Sequence, residues 1–315
     1  MGEVWIDILN AQYSWLFLSL IVALISHLFR ALRWNLLINS MGYKTRLSTT
    51  FFAVMVGYMA NTAVPRMGEF MRCGILSKKE KVPFNALFGT VISERLFDLV
   101  ILLSIIVLVI FFQFDLLQGL LSQLFGNVTD SGSLNINAIV LVTLSVTVFF
   151  GGLIFFIYKN HDYFSKYGLY QKLTGFLAGL MEGIQTIVKL KEKGLFIVYT
   201  FFIWLAYAGM VYLPLFMFPE TSQLNFIDAL TIMSIGSLGI VAPVPGGIGA
   251  YHFIVKAILF ELYKINGATA GSFAAITHAG QTFINVVVGA IGYFYLTMMA
   301  KKQKPLNEKS GSYTK

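Results

Sequence analysis

The chain has 315 residues, of which 57% are hydrophobic and only 12% charged, with a net charge of +8 and a mean hydropathy of +0.74. Soluble domains carry about 25% charged residues, so water is not this chain's only solvent. Lys and Arg fall in short segments between apolar runs rather than on one basic face, which argues against nucleic acid as a partner, and the single cysteine, Cys73, excludes an intrachain disulfide and cysteine-pair chemistry.

Residues 1–12 carry Glu3 and Asp7 and no Lys or Arg, so they lack the basic start of a signal peptide and read as an external N-terminus. Residues 13–38 form the first run long enough to cross a bilayer, which takes roughly 20 apolar residues. Arg30, Arg33, Lys44 and Arg46 place its far end in the cytoplasm. Residues 48–64 barely suffice to cross and stop at Pro65, followed by Lys78, Lys79 and Lys81. With both flanks basic, this segment reads as re-entrant or as a kinked span. Residues 83–114 lead outward to an acidic loop at 115–137, and 139–158 return. Leu173, Phe176, Leu177, Leu180, Ile184, Ile187 and Val188 then recur at helical spacing, the pattern of an amphipathic helix on the inner surface.

Residues 195–218 cross outward again. Residues 226–242 enter and break at Pro243-Val-Pro-Gly-Gly-Ile-Gly249, after which 250–263 continue. The last run, 268–300, precedes Lys301, Lys302 and Lys304, so the polar tail, 301–315, is expected in the cytoplasm. The fold class expected is an all-α polytopic membrane protein with about five to eight transmembrane helices, residues 13–300 forming one membrane domain. If the two proline-broken segments are re-entrant, they enter from opposite sides, an arrangement that in transporters points to a midplane binding site.

Three groups of residues could carry chemistry. Arg66, Glu69 and Arg72 follow Pro65 at intervals of three and would share one helix face, a plus-minus-plus ladder beside a helix start that favours anions. Glu94, Arg95 and Asp98 stand inside an apolar run, where a charge costs about 2.5–3.5 kcal/mol. Arg95 and Asp98 are spaced to pair with each other, and Arg30 and Arg33 are the partners expected for a salt bridge between helices. Pro245, Gly246, Gly247 and Gly249 make an irregular stretch at membrane depth whose backbone a ligand can approach, with His252 just beyond. No spacing indicates a metal, and no cofactor is expected.

Arg-Ala-Leu-Arg-Trp at 30–34, Pro-Arg-Met-Gly-Glu-Phe-Met-Arg at 65–72, Glu-Arg-Leu-Phe-Asp at 94–98 and Pro-Val-Pro-Gly-Gly-Ile-Gly at 243–249 occur in one order. Together they resemble the lysylphosphatidylglycerol synthase transmembrane region, also called the flippase-like or UPF0104 family. The resemblance covers about residues 13–300 and implies a membrane protein that moves lipids or lipid-linked glycans between leaflets, here without the aminoacyltransferase domain fused to some relatives. Relatives commonly have an acid where this sequence has His252. The expectation is a lipid flippase-like transporter in the cytoplasmic membrane, not an enzyme, whose partners are membrane lipids with an anionic headgroup. Arg66, Arg72 and Arg95 would hold the phosphate, while Glu69, Glu94 and Asp98 orient those arginines. A membrane-embedded enzyme using Glu94 and Asp98 as acid and base, and a non-transporting accessory subunit, are the rival readings; a homo-oligomer is left open.

Overall fold

The computed structural model describes residues 2–114, 190–241 and 244–302. The expected loop at 115–137, the span at 139–158, the amphipathic segment around 173–188, Pro243 and the tail from 303 lie outside them. The described residues form helices and no strand: α1 (Gly2–Asn10), α2 (Tyr13–Ser40), α3 (Leu47–Ala63), α4 (Met67–Glu80), α5 (Phe84–Phe112), α6 (Lys193–Leu215), α7 (Phe226–Val241), α8 (Ala250–Ala257) and α9 (Gly267–Lys302), with a 3-10 turn at Pro245–Gly247 and a π turn at Ile258–Leu262.

Four of these, α2, α5, α6 and α9, are long and apolar enough to cross a membrane. A helix rises 1.5 Å per residue, so the 28 residues of α2 reach about 42 Å, past both sides of a hydrocarbon core of about 30 Å. Outward side chains such as Phe17, Val107 and Phe201 are apolar and more than half exposed, as lipid tails require. Helix α1 was not foreseen in the sequence. It packs on the start of α9, where Thr269 donates to Asp7 (3.1 Å) and Ser272 to the Val4 carbonyl (3.4 Å).

Proline sets where the short helices stop. It disfavours helical backbone in the residue before it, and Val64 and Val244 are both extended, at φ −134° and −115°. The residues after the prolines, Arg66 and Gly246, are both left-handed, at φ 62° and 61° with ψ 6° in each. The two Val-Pro pairs thus follow one backbone path and turn the chain back on itself. Glycine takes that path freely, whereas Arg66 bears a cost of about 1 kcal/mol.

Helices α3 and α4 consequently form one hairpin and α7 and α8 another, and the turns meet where Gly246 lies against Thr62. Tyr13 to Pro65 spans as many residues as Lys193 to Pro245, so each half runs as a long helix, a hairpin and a second long helix. The halves are inverted. Gln12 bonds to Met217 (3.1 Å), Ser19 to Met210 (3.2 Å) and Arg33 to Thr200 (3.1 Å), which makes α2 and α6 antiparallel. The hairpins therefore enter from opposite ends, and α3 packs on α9 of the other half as α7 packs on α5.

The first hairpin closes through glycine. A Cβ on Gly68 would lie 2.2 Å from the Gly57 carbonyl oxygen and 2.7 Å from the Asn61 side chain. Such overpacking costs about 1–3 kcal/mol. Gly68→Ala should lower the thermal midpoint in detergent by several degrees, while Gly74→Ala, with nothing within 4 Å of the added methyl group, should leave it unchanged or raise it.

Candidate functional site

Arg30 and Arg33 leave one face of α2, Glu94 and Asp98 one face of α5, since residues three and four apart are neighbours on a helix. Arg72 of α4 completes the group. Asp98 accepts from Arg30 Nη2 (2.8 Å) and Arg33 Nη2 (2.9 Å) and pairs with Arg33 Nη1 (2.7 Å). Glu94, with no exposed surface, accepts from Arg33 Nη2 (2.9 Å) and Arg72 Nη2 (3.1 Å). Thr200 of α6 accepts from Arg33 Nη1.

Aromatic rings close around the cations. Arg72 lies over Trp34 at 4.7 Å, Arg33 over Phe196 at 5.5 Å, and Arg30 between Tyr58 (6.0 Å) and Tyr207 (5.9 Å). Trp34 is itself held by a hydrogen bond to Thr90 (2.9 Å). These rings replace part of the hydration that buried guanidinium groups lose. Among the described residues the compensation is incomplete: three guanidinium groups face two carboxylates. Arg30 Nη1 and Arg72 Nε are buried with no hydrogen-bond partner among the described residues.

A narrow cleft of about 10 Å³, room for about one water, lies between α3, α4 and α5 beside this cluster, lined by Val54, Gly57, Tyr58, Asn61, Gly68, Glu69, Arg72 and Arg95. Asn61 fixes its wall by accepting from the Gly68 N–H (2.7 Å). At the rim Arg95 pairs with Glu69 (3.0 Å), and these side chains are 40% and 22% exposed.

Two expectations from spacing are corrected here. Arg95 pairs with Glu69 rather than Asp98, because Arg30 and Arg33 already occupy Asp98. Arg66, Glu69 and Arg72 do not form one ladder. Helix α4 begins at Met67, leaving Arg66 outside it and exposed, without an ion pair among the described residues; Arg72 points inward and Glu69 toward Arg95.

Pro245, Gly246, Gly247 and Gly249 form the second tip, and His252 sits with His278 in a separate cluster. Tyr58, Asn61, Tyr207 and Thr200 were missed, since one polar residue in an apolar run carries no signal until its neighbours are known. Among the described residues no three His, Cys, Asp or Glu converge as metal ligands.

The family model described as the lysylphosphatidylglycerol synthase TM region matches residues 1–289. The chain belongs to that family. A UPF0104 membrane protein of Methanocaldococcus jannaschii is 30% identical over 106 residues, 33% of this chain and 32% of the relative, so that match spans about a third of the relative's length. A UPF0104 membrane protein of Pyrococcus horikoshii is 21% identical over 305 residues, 90% of this chain and 87% of the relative. No solved structure matches.

Removing one partner of a buried ion pair costs about 3–5 kcal/mol, while an exposed pair is worth about 0–1 kcal/mol. Glu94→Gln should therefore unfold the family member at much lower denaturant than wild type, and Glu69→Gln should shift the midpoint little, as followed by circular dichroism in detergent.

Proposed function

We propose that this protein moves an anionic phospholipid or lipid-linked amphiphile between the leaflets of the cytoplasmic membrane. The observation that carries this reading is the uncompensated guanidinium charge, with N–H groups lacking acceptors, beside a cleft open at the Glu69–Arg95 pair. A buried cation excess in a membrane protein calls for an anion, and the cleft is where one can reach it.

A headgroup phosphate displaces Glu69 from Arg95 and takes donors from Arg95 and Arg72, whose planar forks suit phosphate oxygens. Glu94 keeps a permanent hold on Arg72, so the phosphate receives only part of that guanidinium's hydrogen-bonding capacity and is not trapped. Arg66 guides the headgroup at the tip of the first hairpin. The hairpins enter from opposite faces, which gives each leaflet its own route to the tips. Enzymatic use of Glu94 and Asp98 fits less well, because guanidinium donors occupy both carboxyl groups that would have to exchange protons.

The ends of the helices differ in charge. Lys44, Arg46, Lys78, Lys79, Lys81, Lys191 and Lys193 lie with Glu80 and Glu192 at the end where α2 finishes, while Asp7, Glu220, Asp228 and Glu261 lie toward the other with Lys256 and Lys264. The basic end is assigned to the cytoplasm. Cysteines placed at Met67 and Ile248, which are 42% and 59% exposed, should react with an impermeant reagent from the cytoplasmic and external side respectively; the reverse result would refute this topology.

Loss of a charge-assisted contact worth about 1.5–3 kcal/mol lowers binding roughly tenfold or more. Arg95→Ala should slow fluorescent-lipid exchange in reconstituted vesicles by about that factor with an unchanged thermal midpoint, because Arg95 sits at the rim. An unchanged exchange rate would sink the proposal.

A further inference from the structure

The inverted halves secure their hairpins by different chemistry. Arg72 and Glu94 bind the first hairpin to α5 through permanent charges. In the second half, α9 carries no charged residue before Lys301 and Lys302. There the hairpin tip meets α9 through histidines.

His278 of α9 lies 2.9 Å by its Nε2 from the Gly246 carbonyl oxygen. A carbonyl only accepts, so Nε2 carries the proton and, in the neutral ring, Nδ1 is bare. His252 of α8 accepts the Gly249 N–H through its own Nδ1 (3.2 Å), so its proton is on Nε2. The tip backbone thus fixes both tautomers. The two rings are 4.7 Å apart, and Tyr251 stacks on His278 at 5.2 Å and 28°.

We propose that His252 and His278 form a one-proton site, loaded at His278 Nδ1, that latches the tip of the second hairpin to α9. Among the described residues protonation at His278 Nδ1 breaks no hydrogen bond, whereas a proton on His252 Nδ1 requires release of the Gly249 N–H. The closeness of the rings opposes a second proton. Once charged, His278 donates a stronger, charge-assisted bond to Gly246 and presents a cation to the Tyr251 ring. Acid therefore tightens this tip, whereas the arginine-carboxylate clamp of the first hairpin contains no histidine.

No acidic side chain pairs with either ring among the described residues. The other ionisable groups of the surrounding elements are Tyr251 and Lys256 on α8; Glu261, Tyr263 and Lys264 beyond it; and Asp228 at the far end of α7, which accepts from Gln113. Also on elements packed against α9 are Tyr58 on α3, Arg66 at the facing tip, Asp7 on α1, which accepts from Thr269, and His27 on α2, whose Nε2 lies 3.1 Å from Asn285 Oδ1, with Tyr293, Tyr295, Lys301 and Lys302 toward the end of α9. Of these only His27, about two helical turns along α9 from His278, is of a type that ordinarily titrates between about pH 5 and 8, and the His278→Gln variant separates its contribution.

A nitroxide at Ile248→Cys, in a Cys73→Ala background, reports tip mobility by electron paramagnetic resonance without reference to lipid transport. The mobile fraction should fall about threefold from about pH 8 to about pH 5. His278→Gln, which retains a neutral donor, should abolish the response, and His252→Gln should preserve it. Histidine-selective 15N spectra of the otherwise unaltered chain should show His278 Nδ1 gaining a proton in that range while His252 keeps its neutral tautomer. A response that survives His278→Gln, a tip that loosens in acid or does not respond, or titration of His252 in place of His278 would overturn the assignment.

Discussion

Positive charge held inside the bilayer organises this molecule. Arg30, Arg33 and Arg72 are all but fully buried, and an isolated ion in that environment would be strongly unfavourable. Their burial requires Glu94 and Asp98 on the adjoining helix, and the rings of Trp34, Tyr58, Phe196 and Tyr207 around them. Helices α2, α4 and α5 are joined by that requirement, with Thr200 bringing in α6. The arginine-carboxylate cluster and the scaffold are largely the same set of interactions, and the cluster carries more cations than carboxylates among the described residues.

The hairpins meet a second constraint, that irregular backbone at membrane depth must be enclosed or satisfied. Both tips do this by apposition: Gly246 rests against Thr62, and its carbonyl accepts from His278. Repetition of one Val-Pro turn in two inverted halves uses a single local geometry at hairpins entering from opposite ends of the helix bundle. The halves differ in what closes them, fixed charge on one side and imidazole on the other, so an inverted scaffold need not respond symmetrically to its surroundings.

Much of the fold was legible because hydrophobic length and proline are local signals. The bounds of α2, α3, α5, α6 and α7 fall within a few residues of those read from the apolar runs. Helix α1 was not legible, since nine residues with two acids resemble a polar terminus until α9 supplies a surface to pack on. Spacing showed that Arg30, Arg33, Glu94 and Asp98 could meet, but misassigned Arg95, because an i,i+3 pairing within one helix competes with partners from helices far along the chain. Glu69 was available to Arg95 only because the first hairpin folds back at Pro65.

The sequence by itself determined that the chain lives in a membrane, where its helices break, and which charges must lie within the bilayer. These follow from composition, from the missing N–H of proline and from the cost of burying an ion. Only the tertiary structure decided which arginine each carboxylate neutralises, that among the described residues the cluster holds one guanidinium more than carboxylates, that the two turns touch, and which nitrogen of His252 and His278 bears its proton in the neutral rings. Those outcomes depend on distances between residues remote in sequence, and a distance across the fold exists only once every helix is in place.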